Sequence, residues 1–289
     1  MTRVRAVERI LTAYETMEGA GVRLHRAFGY YEVPQFDPFL MLDDFWSSRP
    51  EDYLAGFPSH PHRGIETVTY MLNGRIEHAD SMGNAGSVNA GDVQWMTAGS
   101  GIIHSEMPIP VDGRMGGFQL WVNLPRAYKM MTPRYQEIGS ADIPTASPRP
   151  DVSINVICGL ASGVKGPLKD IVADPEYLDV TLGPETFYSH PVKEGYTSLA
   201  YVISGEGTFD AEERYRISNR DLCLFSDGSS IRARSSDKGF RFLFIAGKPI
   251  HEPVAWRGPI VMNTTEELRQ AFTEYNAGTF TKKNAYYPG

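Results

Sequence analysis

The sequence predicts an all-β protein: two related β-barrels in tandem, closed by one short C-terminal α-helix. Three observations carry this. Short apolar, β-branched and aromatic stretches punctuated by glycine recur along the chain, among them ETVTYML, VQWMT, FQLWVNL, VSINVIC, LAYVIS and FRFLFIAG, the pattern of a sandwich or barrel. The two halves resemble each other. Helical periodicity occurs only near the end, where Leu268, Ala271, Phe272 and Tyr275 fall at i, i+3, i+4 and i+7.

At 289 residues the chain is about twice the usual domain length. The segment 143–151, IPTASPRPD, holds three prolines among small and polar residues and reads as a linker. It divides a first barrel, 1–142, from a second, 152–289, that includes the helix. The halves match in two places. TYMLNG at 69–74 resembles AYVISG at 200–205. AGDVQWMTAGSG, with Asp92, resembles NRDLCLFSDGSS, with Asp221, each an acidic turn before an apolar strand. Both matches point to duplication. Thr264 and Glu267 suit a capping box for the helix, whose apolar face is expected on a barrel wall.

Candidate ligands occur in the first half only. In a strand, residues i and i+2 share a face about 6–7 Å apart. His60 and His62 have this spacing, as do His104 and Glu106 in GIIHSEMP. Two strands then present four donors to one interior. Neutral imidazoles and a carboxylate suit a divalent transition metal with positions open to other ligands. The duplication supplies an internal control. A shift of 131 residues, from Gly74 to Gly205, carries His60 to Pro191 and His62 to Lys193. A shift of 129, from Asp92 to Asp221, carries His104 to Ala233 and Glu106 to Ser235. The second barrel is therefore expected to be metal-free.

Composition narrows the alternatives. A formal net charge of −7 argues against direct nucleic-acid binding. Cys158 and Cys223 are too few for a disulfide framework, and neither lies near the candidate ligands, which counts against a thiolate-rich structural zinc. No secretory signal or long apolar run is present, so a cytoplasmic protein without membrane contact is expected, with nuclear entry open beside a partner. No phosphate-binding loop occurs. Ser105 and His104, as strand neighbours, point to opposite faces and make no nucleophile–base pair.

HPHRGIETVTYMLNG, AGDVQWMTAGSGIIHSEMP, FQLWVNLPRAYKM and GPIVMNTTEEL together resemble the pirin family. The likeness runs from about residue 37 to the C-terminal helix. It implies a bicupin, two cupin-type barrels with iron in the first, held by His60, His62, His104 and Glu106. Manganese, cobalt, nickel, copper and zinc also accept this donor set. Glu66 follows the HxH pair at the offset usual in cupins, but the spacings around it depart from the cupin pattern. Glu106 is therefore the expected ligand, and Glu66 either orients a histidine or faces solvent. The resemblance also implies quercetin 2,3-dioxygenase-type chemistry, in which a flavonol reacts with O2, its central ring opens and carbon monoxide leaves. Glu106 would double as catalytic base, and Phe57, Trp95 and Met96 would form the slot for a flat aromatic. The alternative is a non-enzymatic regulator, in which the iron's oxidation state alters a docking surface for a transcription factor or metabolic enzyme.

Overall fold

The computed structural model describes residues 3–33, 35–210 and 214–282. The chain is mostly β, with one α-helix among the described residues, and it forms two compact units. Each unit is assembled from two stretches of sequence, Tyr14–Ser140 with Ile250–Gly289, and Met1–Ala13 with Ala141–Pro249.

In the first unit a seven-stranded sheet runs in the order Arg134–Ile138, Val93–Thr97, Ile65–Asn73, Gly116–Asn123, Phe39–Asp44, Val22–Phe28 and Tyr14–Glu18. A four-stranded sheet, Phe57–His62, Ile102–Ile109, Arg75–Asp80 and Ala85–Asn89, faces it. The Thr69 hydroxyl on the first sheet reaches Glu106 on the second at 3.3 Å, so the two inner faces share one interior. That interior is layered. Met71 belongs to an apolar cluster with Leu24, Phe45 and Ile76, and Ile65 to another with Met96 and Ile102. Thr69, on the same strand between them, marks a polar level.

The second unit is built on a nine-stranded sheet that includes the 18-residue strand Ser230–Gly247, and it also carries the short antiparallel pair Leu160–Ala161 and Val164–Lys165. Its core is apolar and rich in phenylalanine, with the Phe209 ring 5.0 to 5.3 Å from those of Phe225, Phe240 and Phe242. The duplication is visible in detail. Strands Ile65–Asn73 and Val93–Thr97 pair in one unit, and Thr197–Thr208 and Asp221–Phe225 in the other. Asp92 accepts the backbone N–H of Asn89 at 2.9 Å, and Asp221 that of Ser218 at 2.9 Å.

The units differ from the expected division at three points. Residues 143–151 are not a free linker, because Thr145–Arg149 is an edge strand paired with Val152–Cys158. Pro148, which has no N–H to donate, falls where that register slips, between Ala146 and Arg149. Val7–Thr12 pairs with Asp221–Phe225 and so joins the second unit. The helix, Thr265–Asn276, belongs to the first. Thr264 and Glu267 cap it reciprocally. Leu268 and Ala271 pack against Ile260, Met262 and Ile103, a residue of the strand that carries His104 and Glu106.

Candidate metal centre

The strands Phe57–His62 and Ile102–Ile109 pair antiparallel, with His104 opposite His60 and Ile102 opposite His62. Strand alternation turns His60 and His62 to the same interior. One ring nitrogen from each of His60, His62 and His104 lies within 4.8 Å of the others, a group able to hold a metal ion. The register shifts after His104, setting Glu106 against Phe57. The Glu106 carboxylate is buried, 3.9 Å from His104 Nε2. Its neighbours hold it loosely, the Thr69 hydroxyl at 3.3 Å and the Gln119 amide nitrogen at 3.3 Å from the nearer oxygen.

The hydrogen bonds fix the tautomers of two rings. His60 Nδ1 lies 2.9 Å from the Pro58 carbonyl and His62 Nδ1 3.2 Å from that of Pro259. Carbonyls only accept, so both hydrogens sit on Nδ1. Burial, reinforced by His104 and His60, holds His62 well below the usual imidazole range. In this tautomer the two Nε2 lone pairs face each other across 3.0 Å. Two nitrogens at about 2.1 Å from one metal ion and at right angles to each other lie about 3.0 Å apart, so the donors fit a shared cation. His104 agrees with this reading. It is buried, neither of its ring nitrogens has a hydrogen-bond partner among the described residues, and burial lowers its pKa to about 4.

A cavity of about 620 Å³ opens onto these groups, within the range of small-molecule sites. His60, His62, Glu106 and Gln119 meet it beside Met41, Phe57, Trp121 and Trp256. The Trp121 ring stands edge-on to His62, centroids 5.1 Å apart, and Trp256 lies 6.0 Å beyond. Trp256 Nε1 donates to the Gly258 carbonyl at 2.7 Å, which fixes the indole.

Of the expected slot residues, only Phe57 lines this cavity. Trp95 pairs with Val68 and Met96 with Thr67, so Trp95 points to the sheet face opposite Thr69, while Met96 packs in the apolar cluster with Ile65 and Ile102. The aromatic wall comes instead from Trp121 and Trp256. Trp121 alternates into the interior two residues from Gln119, a parity readable from FQLWVNL once the strand's register is known. Trp256 lies beyond the second barrel in sequence, and no local signal ties it to the site. Glu66 neither faces solvent nor orients a histidine. It is fully buried on the opposite sheet face and accepts the Thr97 hydroxyl at 2.7 Å, and burial pushes its carboxyl up to about 7.

Sequence comparisons agree with this architecture. The pirin family model matches residues 21–122, and that of the pirin C-terminal cupin domain matches residues 177–281. A Pseudomonas aeruginosa protein that carries a provisional quercetin 2,3-dioxygenase name is 44% identical over 282 residues, covering 96% of this chain and 99% of that protein. Human pirin is 43% identical over 267 residues, covering 90% and 89%. The crystal structure of a quercetin 2,3-dioxygenase from Acinetobacter baumannii superposes with a TM-score of 0.88 at 32% identity, over 97% of this chain and 99% of that one. The tandem barrels are thus cupin domains, and the chain belongs to the pirin family.

Proposed function

We propose that the first cupin domain holds one Fe(II) on His60, His62, His104 and Glu106, and that the protein is a flavonol 2,3-dioxygenase that opens the central ring of a quercetin-like substrate with O2. The observation that carries the metal assignment is the pair of His60 and His62 Nε2 atoms, 3.0 Å apart with both hydrogens committed to carbonyls. The names of the Pseudomonas and Acinetobacter relatives support the reaction class.

When bound, iron supplies Lewis acidity and one-electron redox capacity. The chain's own residues do the rest. Phe57, Met41, Trp121 and Trp256 enclose a flat ring system and displace water from its faces. Glu106 stands at the junction of cavity and histidines, placed to accept the proton of a substrate hydroxyl. Thr69 and Gln119 keep its carboxylate turned towards the cavity.

The test is aerobic incubation of the iron-loaded protein with quercetin, following loss of the flavonol absorbance, with His62→Ala and Glu106→Ala as controls. Turnover by the native protein that stops in both variants supports the assignment. A protein holding one iron without turnover overturns the dioxygenase reading and leaves metal-dependent partner binding in its place.

A further inference from the structure

The C-terminal stretch 250–282 runs directly behind the candidate ligands. Ile260 bridges Arg63, and the Val261 N–H donates to the Arg63 carbonyl at 3.1 Å. The Pro259 carbonyl holds His62 Nδ1. Buried Lys129 donates to the carbonyls of Gly64 at 2.8 Å and Val261 at 3.0 Å, joining the HPHRG loop to this stretch.

Two glycines next to the ligands make room for it. A Cβ on Gly64, which has φ +77°, would collide with the Val261 carbonyl oxygen. A Cβ on Gly101, with φ +132°, would lie 2.9 Å from the Phe280 ring. Gly64 follows His62 by two residues and Gly101 precedes His104 by three, so both ligand strands leave space for the same returning segment.

Arg63 is the joint. Its guanidinium is 2% exposed. Nε donates to the Ser100 carbonyl at 2.7 Å, in the turn that launches the His104 strand, and Nη2 donates to the Phe280 carbonyl at 2.8 Å. Nη1 pairs with Glu274 of the helix at 2.8 Å, and Phe280 stacks under the group at 4.2 Å. One side chain thus contacts the turn before one ligand strand, the end of the C-terminal segment and the helix, and it is the immediate neighbour of ligand His62.

We propose that Arg63 is a positioning residue for the metal centre, and that docking of the helix and metal binding are thermodynamically coupled through it. This rests on the metal centre proposed above, not on its reaction. Groups that orient ligands typically change metal affinity about 10- to 100-fold when removed. Coupling is reciprocal, so the factor by which helix contacts strengthen metal binding is the factor by which metal favours helix docking.

The experiment is Co(II) titration of the full chain, followed by the cobalt visible absorption, for the native protein, Glu274→Gln, Arg63→Lys and Arg63→Met. Amide hydrogen exchange of residues 265–276 with and without Co(II) accompanies it. The expected results are affinity weakened about 10- to 100-fold in Arg63→Met, a smaller loss in Glu274→Gln, partial recovery in Arg63→Lys, and slower helix exchange in the cobalt-loaded native protein. Glu274→Gln keeps the test open if Arg63→Met does not fold. Native affinity in Glu274→Gln and Arg63→Lys, with helix exchange indifferent to cobalt, overturns the coupling and leaves the metal centre standing. A native protein that binds no cobalt overturns the centre itself.

Discussion

His60 Nε2 and His62 Nε2 lie 3.0 Å apart, and each ring is fixed at Nδ1 by a backbone carbonyl. With the Nδ1 hydrogen of each ring given to a carbonyl, the two Nε2 lone pairs face each other, and a cation between them would turn that repulsion into attraction. Metal at 100 times its dissociation constant is therefore expected to stabilise the fold by about 2.7 kcal/mol. Thermal unfolding with and without Fe(II) under anaerobic conditions checks this. A chelator should reverse the increment, and His62→Ala should abolish it.

The Thr69 hydroxyl lies between the two sheets at the polar level, 3.3 Å from a Glu106 oxygen and 3.1 Å from Gln119 Oε1, with one proton shared between these acceptors. Thr69→Val keeps the shape and removes the hydroxyl. If Glu106 handles the substrate proton, kcat is expected to fall about 10-fold while the metal content stays near one per chain. Steady-state kinetics beside metal analysis separates the two effects. Equal loss of metal and rate would instead make Thr69 a determinant of the metal centre.

Trp256 forms part of the cavity wall, its ring 6.0 Å from that of Trp121. Trp256→Ala removes a flat apolar surface that a planar substrate meets equally in ground and transition states. The expected outcome is KM for quercetin raised about 10-fold, equivalent to about 1.4 kcal/mol of binding, with kcat changed little.

Glu66 sets a pH dependence of stability. Burial raises its carboxyl from 4.5 to about 7, so between those values the folded state binds more protons than the unfolded one. Its contribution is fully present below pH 4.5 and is lost as pH rises through about 7. Glu66→Gln should flatten the decline in stability across that window, as measured by urea unfolding at stepped pH. An unchanged slope would show that other groups set it.

Much of this was legible because strand chemistry has a period of two. The spacing of His60 with His62 and of His104 with Glu106 is enough to place four donors on two strand faces, and the acidic turns at Asp92 and Asp221 expose the duplication. Register and chain return were not legible. Nothing local in VQWMT says that Trp95 faces away from the candidate ligands, because that depends on its pairing with Val68. Nor does the sequence near Val7–Thr12 or Trp256 show that each packs with the barrel more distant in sequence. Those placements come from long-range pairing, and Arg5 illustrates them. Its buried guanidinium donates to the carbonyls of Lys193, Tyr196 and Ser226, partners nearly two hundred residues away or more.

The proposed centre is one metal ion in the first cupin domain, held by three imidazoles and Glu106. Anaerobic Fe(II) titration, with X-ray absorption on the loaded protein, tests it most directly. The expected result is one iron per chain with imidazole scattering, and loss of stoichiometric binding in His62→Ala and in His104→Ala. Undiminished iron in both variants, or iron held without imidazole, would contradict it.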